Sequence, residues 1–294
     1  MERCLEGLLG QDLPAHDYEI VVVDNGSTDG TYEFLASAAA HSRVPMRVVV
    51  DHGSLGAIRN RAVGEARTPF VAFVDSDCVP SPGWLAAGLA AFDDRHRLGV
   101  VQGLTIPDPT IPQGRWSATQ DLESFTDRYE ACNIFYLREA LVAGGGFDEK
   151  IGQFGEDTAA GWRVRRLGWD AAFEPEAVVT HTVTHPGLGW HLRRGFGYGA
   201  INALVRQFPE MRENLWHGIF LRPSSAAFAG ATAGLLLTPF DRRALALAAP
   251  YAWMRRPKRL RRRAILDAAT AVAWDASIFG GMVRGSVKTR TLVL

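Results

Sequence analysis

The sequence predicts an α/β protein built on a doubly wound, mixed but mostly parallel sheet, with a helical extension at its carboxyl end. Three observations carry that expectation. Short apolar runs, Tyr18–Val23, Arg47–Val50 and Phe70–Val74, alternate with stretches of helical pattern, which is how βαβ units read. The run Phe70–Val74 is apolar at every position rather than at alternate ones, as a strand buried on both faces is. Around residue 188 the character changes: residues 1–160 hold 12 Lys/Arg against 24 Asp/Glu, and residues 161–294 hold 20 against 8. A balanced total therefore hides an acidic front and a basic back, and the two parts are read as units 1–187 and 188–294.

Taken in order, residues 2–10 form a short amphipathic helix. The first strand runs from Tyr18 to Val23 and ends in Asp24-Asn25-Gly26-Ser27-Thr28-Asp29-Gly30, a loop of turn formers whose hydroxyls and carboxylates can cap a helix over 31–40. A second strand over Arg47–Val50, a loop at 53–56 and a helix over 57–66 follow. The third strand, Phe70–Val74, is succeeded by a helix near 82–92 and a strand near 99–104. Residues 105–130 are irregular. Asn133–Leu137 is a short strand and Arg138–Val142 a helical turn. Gly144-Gly145-Gly146 opens a loop that needs glycine's freedom. A helix from Glu156 stops at Gly168, and Ala171–Phe173 and Val178–Thr180 are the last strands, with His181 directly after them.

In the back part, helix extends to about Phe208. Pro223–Phe240 is an uncharged run of 18 residues, long enough for a marginal membrane span but weakly apolar. A shorter apolar run, Ala244–Met254, leads into Arg255-Arg256-Pro257-Lys258-Arg259-Leu260-Arg261-Arg262-Arg263, seven cations in nine residues. Cations beside apolar helices read as contact with an anionic membrane surface; a solvated basic loop on a helical hairpin is the plain alternative. Nucleic acid ranks low, since no aromatic–basic stripe accompanies the cluster. Three well-separated cysteines, Cys4, Cys78 and Cys132, make neither a disulfide framework nor a zinc spacing. With an opening that lacks a secretion pattern, they place the protein in the cytoplasm, at the inner face of the cell membrane.

The chemistry gathers at strand and helix ends. Phe70–Val74 runs into Asp75-Ser76-Asp77, two carboxylates at the edge of a sheet where a ligand can reach them. Like charges so placed call for a cation, and a hard divalent ion, Mg or Mn, that also holds phosphate oxygens is the economical answer. On this motif alone, an Asp-rich turn ahead of a helix at Ser81-Pro82 stays open. Asp24 occupies a corresponding strand end. Glu156 and Asp157 lie on a first helical turn, where the helix dipole favours negative charge whatever else they do.

Taken together, Val21-Val22-Val23-Asp24-Asn25-Gly26-Ser27-Thr28-Asp29-Gly30-Thr31, Ala57-Ile58-Arg59-Asn60-Arg61-Ala62, Phe73-Val74-Asp75-Ser76-Asp77, Gly145-Gly146-Phe147-Asp148-Glu149, Gly155-Glu156-Asp157, Trp162–Gly168 and Pro175–His181 resemble the family 2 glycosyltransferases, inverting enzymes of the GT-A fold. The resemblance covers roughly residues 2–185 in the family's order. It implies transfer of a sugar from a nucleoside-diphosphate sugar to an acceptor hydroxyl on a glycan, a lipid-linked carrier or a small molecule. It implies roles as well. Asp24 and Arg59 hold the nucleotide base, and Asp75 touches the ribose or the metal. Asp77 binds the metal on the diphosphate, with His181 as a further ligand. Asp157 is the general base, and Glu156 orients the acceptor or Asp157. Asn133 lines the acceptor side, Arg194 meets the diphosphate, and His185 and His191 rank below His181. Trp162 is expected in the core.

Two departures from the family's pattern bear on function. Members open with an apolar strand ending in a Pro-x-Tyr-Asn-like turn, which forms the centre of the sheet. No such strand precedes the helix at 2–10, so a groove with unpaired backbone is expected. A non-catalytic sugar-nucleotide-binding or scaffold protein is therefore the alternative reading. The Gln-x-x-Arg-Trp of processive synthases is replaced by His191-Leu192-Arg193-Arg194-Gly195-Phe196, which favours transfer of one or a few sugars. A nucleotidyltransferase would want a glycine-rich basic loop near the amino end, and none is present.

Overall fold

In a computed structural model, the chain is described at all residues except 94–96, 152–153 and 257–263, and the side chains of 264 and 265 are likewise left aside. It forms two compact units, Met1–His185 and Pro186–Leu294.

The first unit begins with α1 (Glu2–Leu9), followed by β1 (Ile20–Asp24), α2 (Thr31–His41), β2 (Met46–Val50), α3 (Leu55–Glu65) and β3 (Phe70–Val74). A short β4 (Cys78–Pro80), α4 (Trp84–Ala90), β5 (Leu98–Pro107), β6 (Asn133–Leu137), α5 (Arg138–Ala143), α6 (Glu156–Arg166) and β7 (Asp170–His181) complete it. The strands form two sheets, a parallel pair β1-β2 and a mixed sheet in the order β3-β6-β5-β7-β4. In the latter β3, β5 and β7 share one direction, and β6 and β4 run against them.

Two elements differ from the sequence expectation. The residues expected as two last strands are one strand, β7, which slips register against β5 between Gly103 and Thr105. Pro175 lies in the slipped stretch, and a proline cannot donate to a ladder, so it is tolerated only at such an irregularity. The strand β4 has no sequence signal of its own. Cys78–Pro80 is too short for a periodicity and is held by pairing with Val179–His181.

Helices cover both faces of the strands. Leu5 and Leu8 of α1, Leu35 of α2 and Leu85 of α4 pack on Ile20 and Val22 of β1. On the other face Val63 of α3 packs with Phe73, Tyr136 and Phe147, and Val71 joins them. The β3 residues Ala72 and Val74 turn the opposite way, onto Trp84 and Phe135. This is the period-2 alternation of a strand buried on two sides. Trp162 packs against the core from α6, as expected, and its indole N–H donates to the Asp127 carbonyl.

The second unit is helical: α7 (Leu188–Gly197), α8 (Ile201–Gln207), α9 (Pro223–Leu237), α10 (Ala249–Arg255) and α11 (Ala264–Thr289), with 3₁₀ turns between. Small residues allow its helices to touch. A Cβ on Gly281 of α11 would lie 2.2 Å from the Phe196 carbonyl oxygen, and one on Gly199 would lie 2.2 Å from that of Gly281. Asn202 ties the same elements together, donating to Ser286 Oγ and to the Thr291 and Val293 carbonyls at 2.8–3.0 Å. The uncharged run 223–240 gives only a 15-residue helix, and among the described residues no helix is long and apolar enough to cross a membrane. Of the basic cluster, Arg255 is paired with buried Asp275 at 2.5 Å and Arg256 stacks on Trp253 at 3.1 Å; 257–263 lie outside the described residues.

Candidate active site

The amino-terminal unit collects its charged residues at the carboxyl ends of the strands. β1 ends on buried Asp24, whose carboxylate accepts from the Ser27 backbone N–H at 3.1 Å and from the Ser27 hydroxyl. The loop after β1 is thus folded around that carboxylate. Asn25 fastens the loop to the next one, donating to the Gly53 carbonyl and accepting from the Gly53 N–H at 3.3 and 3.2 Å.

Arg59 is the hub. Projecting from α3, it donates to Glu156 Oε1 and, at 3.2 Å, to Asp75 Oδ1. Its guanidinium lies over the Phe147 ring, 5.6 Å from the centroid. Burial works against the charged form, but the carboxylates of Asp75, Glu156 and Asp157 outweigh it and hold the guanidinium above its ordinary value. Asn60 clamps the loop that carries Phe147. It accepts from the Phe147 N–H at 2.8 Å and donates to the Phe147 carbonyl at 2.9 Å. Arg163 of α6 holds the same loop through Asp148 at 2.5 Å. The three segments 57–62, 145–149 and 155–157 are therefore parts of one hydrogen-bonded assembly, and Asn60 and Phe147 are positioning residues that the motifs alone do not single out.

α6 starts at Gly155, which has φ of +102° and so takes a left-handed backbone that glycine adopts without strain. That turn sends Glu156 and Asp157 inward. Glu156 is buried, with Oε1 on Arg59 and Oε2 lacking a protein partner. Asp157 accepts from the Thr158 N–H at 2.7 Å and the Ala131 N–H at 3.3 Å. Its carboxyl is pushed up to about 7, first by burial and next by the Glu156 charge, against the opposing pull of Arg59.

The second cluster is formed by β4 and β7. Their pairing sets Cys78 opposite His181 and leaves His181 Nε2 3.7 Å from Asp77 Oδ2. The side-chain ligand atoms of Asp77, Cys78 and His181 all lie within 4.8 Å of one another. His181 Nδ1 sits 2.8 Å from the Thr182 carbonyl oxygen. A carbonyl only accepts, so Nδ1 donates there, and Nε2 is the ring nitrogen that faces Asp77. Burial drives the Cys78 thiol far above its ordinary value, and Asp77 and His181 supply the carboxylate and the imidazole of the trio. A carboxylate with an imidazole suits a divalent ion of the manganese kind. Asp75 is engaged by Arg59 and is not part of this trio.

One residue expected on the acceptor side is placed in the core. Asn133 is fully buried: it accepts from the Trp84 indole N–H at 2.8 Å and spends both amide hydrogens on the Leu104 and Ala177 carbonyls at 2.9 Å. It is a polar knot between β5, β6 and β7 and presents nothing to an acceptor. Arg194 belongs to α7 of the second unit, its guanidinium 5.3 Å from the Trp190 ring centroid. His185 lies near the Pro112 carbonyl at 3.2 Å, and His191 packs between Trp190 and Trp274.

An α/β sheet with helices on both faces and a carboxylate–arginine cluster at the strand ends is the GT-A type of architecture. Residues 1–142 match the model of Glycosyl transferase family 2, and the amino-terminal unit belongs to that family. Among curated relatives, glycosyltransferase AglE of Haloferax volcanii is 26% identical over 67% of this chain and 64% of its own length. The pre-mycofactocin glycosyltransferase of Mycobacterium tuberculosis is 28% identical over 65% of this chain and 43% of its own. The matched segments thus span less than two thirds of these relatives. The structure of the mannosyltransferase PcManGT from Pyrobaculum calidifontis, in complex with GDP-Man and Mn2+, superposes with a TM-score of 0.60. That match covers 98% of this chain and 82% of that one at 22% identity, a likeness of fold.

Proposed function

We propose that this protein moves a sugar from a nucleoside-diphosphate sugar to an acceptor hydroxyl, with inversion and with help from a divalent metal, adding one or a few units. The observation that carries this reading is the convergence of Arg59, Asp75, Glu156 and Asp157 on one assembly, next in the chain to the Asp77–His181 pair. The relatives named glycosyltransferases and the nucleotide-sugar complex of PcManGT support the class of donor.

Each residue then has a chemical task. Asp24 fixes the loop that receives the base, and Asp75, more than a third exposed, is offered to the ribose. Asp77 and His181 would hold Mg or Mn, which, when bound, neutralises charge on the departing diphosphate. Asp157 takes the acceptor proton: a carboxyl raised to about 7 is a far better base near neutrality than an ordinary aspartate. A single base with no second carboxylate acting as nucleophile gives one displacement and therefore inversion. The unpartnered Glu156 Oε2 is a buried acceptor atom that a substrate hydroxyl would satisfy.

Contact with an anionic membrane surface is proposed for the second unit. Leu236, Phe240 and Trp253 are 70%, 89% and 68% exposed, beside Arg242 and Arg243. Apolar groups that enter the headgroup region with cations alongside are how a peripheral helix binds.

The deciding experiment is a donor screen that follows release of nucleoside diphosphate with Mn or Mg, then with chelator. The proposal expects turnover with one donor, lost on chelation. Donor binding without turnover for every acceptor offered would favour the non-catalytic alternative.

A further inference from the structure

The stretch Thr126–Ala131, part of the irregular chain between β5 and β6, is laid along the amino-terminal half of α6. Thr158 of α6 donates its hydroxyl hydrogen to the Arg128 carbonyl at 2.7 Å, and the Trp162 indole N–H donates to the Asp127 carbonyl at 3.0 Å. Gly161 lies on the same helix face, and a Cβ there would stand 2.1 Å from the ring of Tyr129. Tyr129 is wholly buried and has φ of +54°, a left-handed backbone that tyrosine rarely takes. Such strain persists where surrounding contacts over-determine it, and it gathers at working sites. A second set of bonds fixes the same stretch to the sheet. Gln102 of β5, fully buried, accepts from the Thr126 N–H at 3.0 Å and donates to Glu130 Oε2 at 2.7 Å. The Thr126 hydroxyl donates to the same Glu130 oxygen, and Arg128 Nε lies 2.8 Å from the other. Next to Glu130, the Ala131 N–H donates to Asp157 Oδ2 at 3.3 Å, while the Thr158 N–H holds Oδ1 at 2.7 Å.

We propose that Glu130 and Gln102 are positioning residues for Asp157: they fix Thr126–Ala131 so that the Ala131 N–H holds one carboxylate oxygen and the group keeps a single orientation. The catalytic consequence rests on the reading of Asp157 as the base that meets the acceptor hydroxyl. A carboxylate turns easily about its last side-chain bond. Two N–H groups on different oxygens, one from α6 and one from a stretch tied to β5, remove that freedom before the reaction begins. The Thr158 N–H belongs to the same helix as Asp157, so the Ala131 N–H is the bond that ties the carboxylate to the sheet. Glu130 is also a poor choice for stability alone. Its charge resists ionisation of Asp157, as that of Glu156 does, and Arg59 opposes both. The other titratable groups that feel Asp157 are the Tyr136 phenol and the Cys132 thiol, and burial keeps both neutral. Arg128 is more than half exposed, so its pairing with Glu130 is screened by solvent. The two residues thus divide the work: Gln102 holds the stretch without charge, and Glu130 holds it with charge.

The test compares the parent with Gln102→Met, which removes two bonds and no charge, and Glu130→Gln, which keeps an amide oxygen for Gln102 and Thr126 and removes the charge. Two readouts need no ligand: amide exchange at Ala131, and carbon-13 NMR titration of the Asp157 carboxyl, assigned by its loss in Asp157→Asn. The third is kcat and donor KM with the nucleotide sugar that the donor screen selects, counted per donor-binding site so that unfolded material does not enter. Gln102→Met is expected to speed Ala131 exchange at least about tenfold and to lower kcat about tenfold, with donor KM within about twofold. Glu130→Gln is expected to leave exchange and the plateau of kcat within about threefold of the parent. Its Asp157 titration and its pH–rate profile move together to lower pH, because a like charge has gone. Unchanged exchange and kcat in Gln102→Met would overturn the proposal. So would a loss that falls on donor KM, or an Asp157 titration that Glu130→Gln leaves in place. If Gln102→Met does not fold, Thr126→Val, which removes one hydroxyl from the same network, is held to the same directions in exchange and kcat. If the parent transfers no sugar from any donor, the reading of Asp157 as base falls, and the positioning roles stand or fall on exchange and titration alone.

Discussion

Asp157 carries the sharpest consequence at the scale of single residues. Its carboxyl is raised to about 7 in the folded protein, by burial first and then by Glu156. In the unfolded chain it titrates near 4. The folded state therefore binds this proton more tightly, and the stabilisation so gained is complete below about pH 4 and is lost as pH rises through 7. Function needs the opposite form, because a base must be ionised. Turnover per bound donor is expected to climb through an apparent pKa near 7, and Asp157→Asn to lower it about 100-fold or more. The same variant should melt no lower than the parent at pH 8, since it removes a buried charge; steady-state rates and a melting curve on one sample check both. Arg59→Met is expected to do the reverse to stability. It strands Glu156 in the interior with no counter-charge, a loss of about 3 kcal/mol in urea unfolding. Because Arg59 is also what restrains the Asp157 carboxyl, the pH profile of any remaining activity should move to higher pH.

At the scale of elements, the instructive case is β4 and β7. Nothing in Cys78-Val79-Pro80 announces a strand, yet its three-residue ladder brings Asp77 to His181. The two are far apart in the chain, and only the register of an antiparallel pair sets them side by side. His181→Gln is expected to raise the Mn concentration needed for half-maximal activity at least about tenfold, with the melting midpoint in metal-free buffer little changed. In the second unit the contact that matters is backbone against helix. Gly281→Val would drive a side chain into the Phe196 carbonyl, and the rigid partner has no rotamer to yield. A loss of about 1–3 kcal/mol is expected in a denaturant titration. Asn133 is the element-scale lesson in the other direction. An Asn at the head of a short strand reads as a candidate contact with substrate, but three strands and Trp84 converge on it, and a buried amide must have its hydrogens satisfied.

Across the whole molecule, the acidic front and basic back resolve into two units with different surfaces. The second exposes Leu236, Phe240 and Trp253, the groups that the proposed vesicle contact would cover. Flotation with vesicles is the check. Binding is expected to anionic vesicles more than to neutral ones, to weaken at high salt, and to fall severalfold on Leu236→Asp with Phe240→Asp. The cations available for that contact are fewer than the run 255–263 implies, because Arg255 is committed to Asp275.

Much of this protein was legible in residue order. Buried strands betray themselves by apolar runs, helices by capping residues and spacing, and the strand ends by their carboxylates, because each of these is settled by forces acting over a few neighbouring residues. That was enough for the α/β class and for the succession of elements in the amino-terminal unit, and it marked Asp24, Arg59, Asp75, Asp77 and Asp157 as candidates. What tertiary structure alone decided are the pairings: Arg59 with Glu156, Asn60 with the loop of Phe147, Asp77 with His181, and Asn133 with the core. A hydrogen bond or a raised carboxyl depends on distances of a few ångströms between segments that may be a hundred residues apart, and chain order holds no record of such distances until burial of the sheet fixes them.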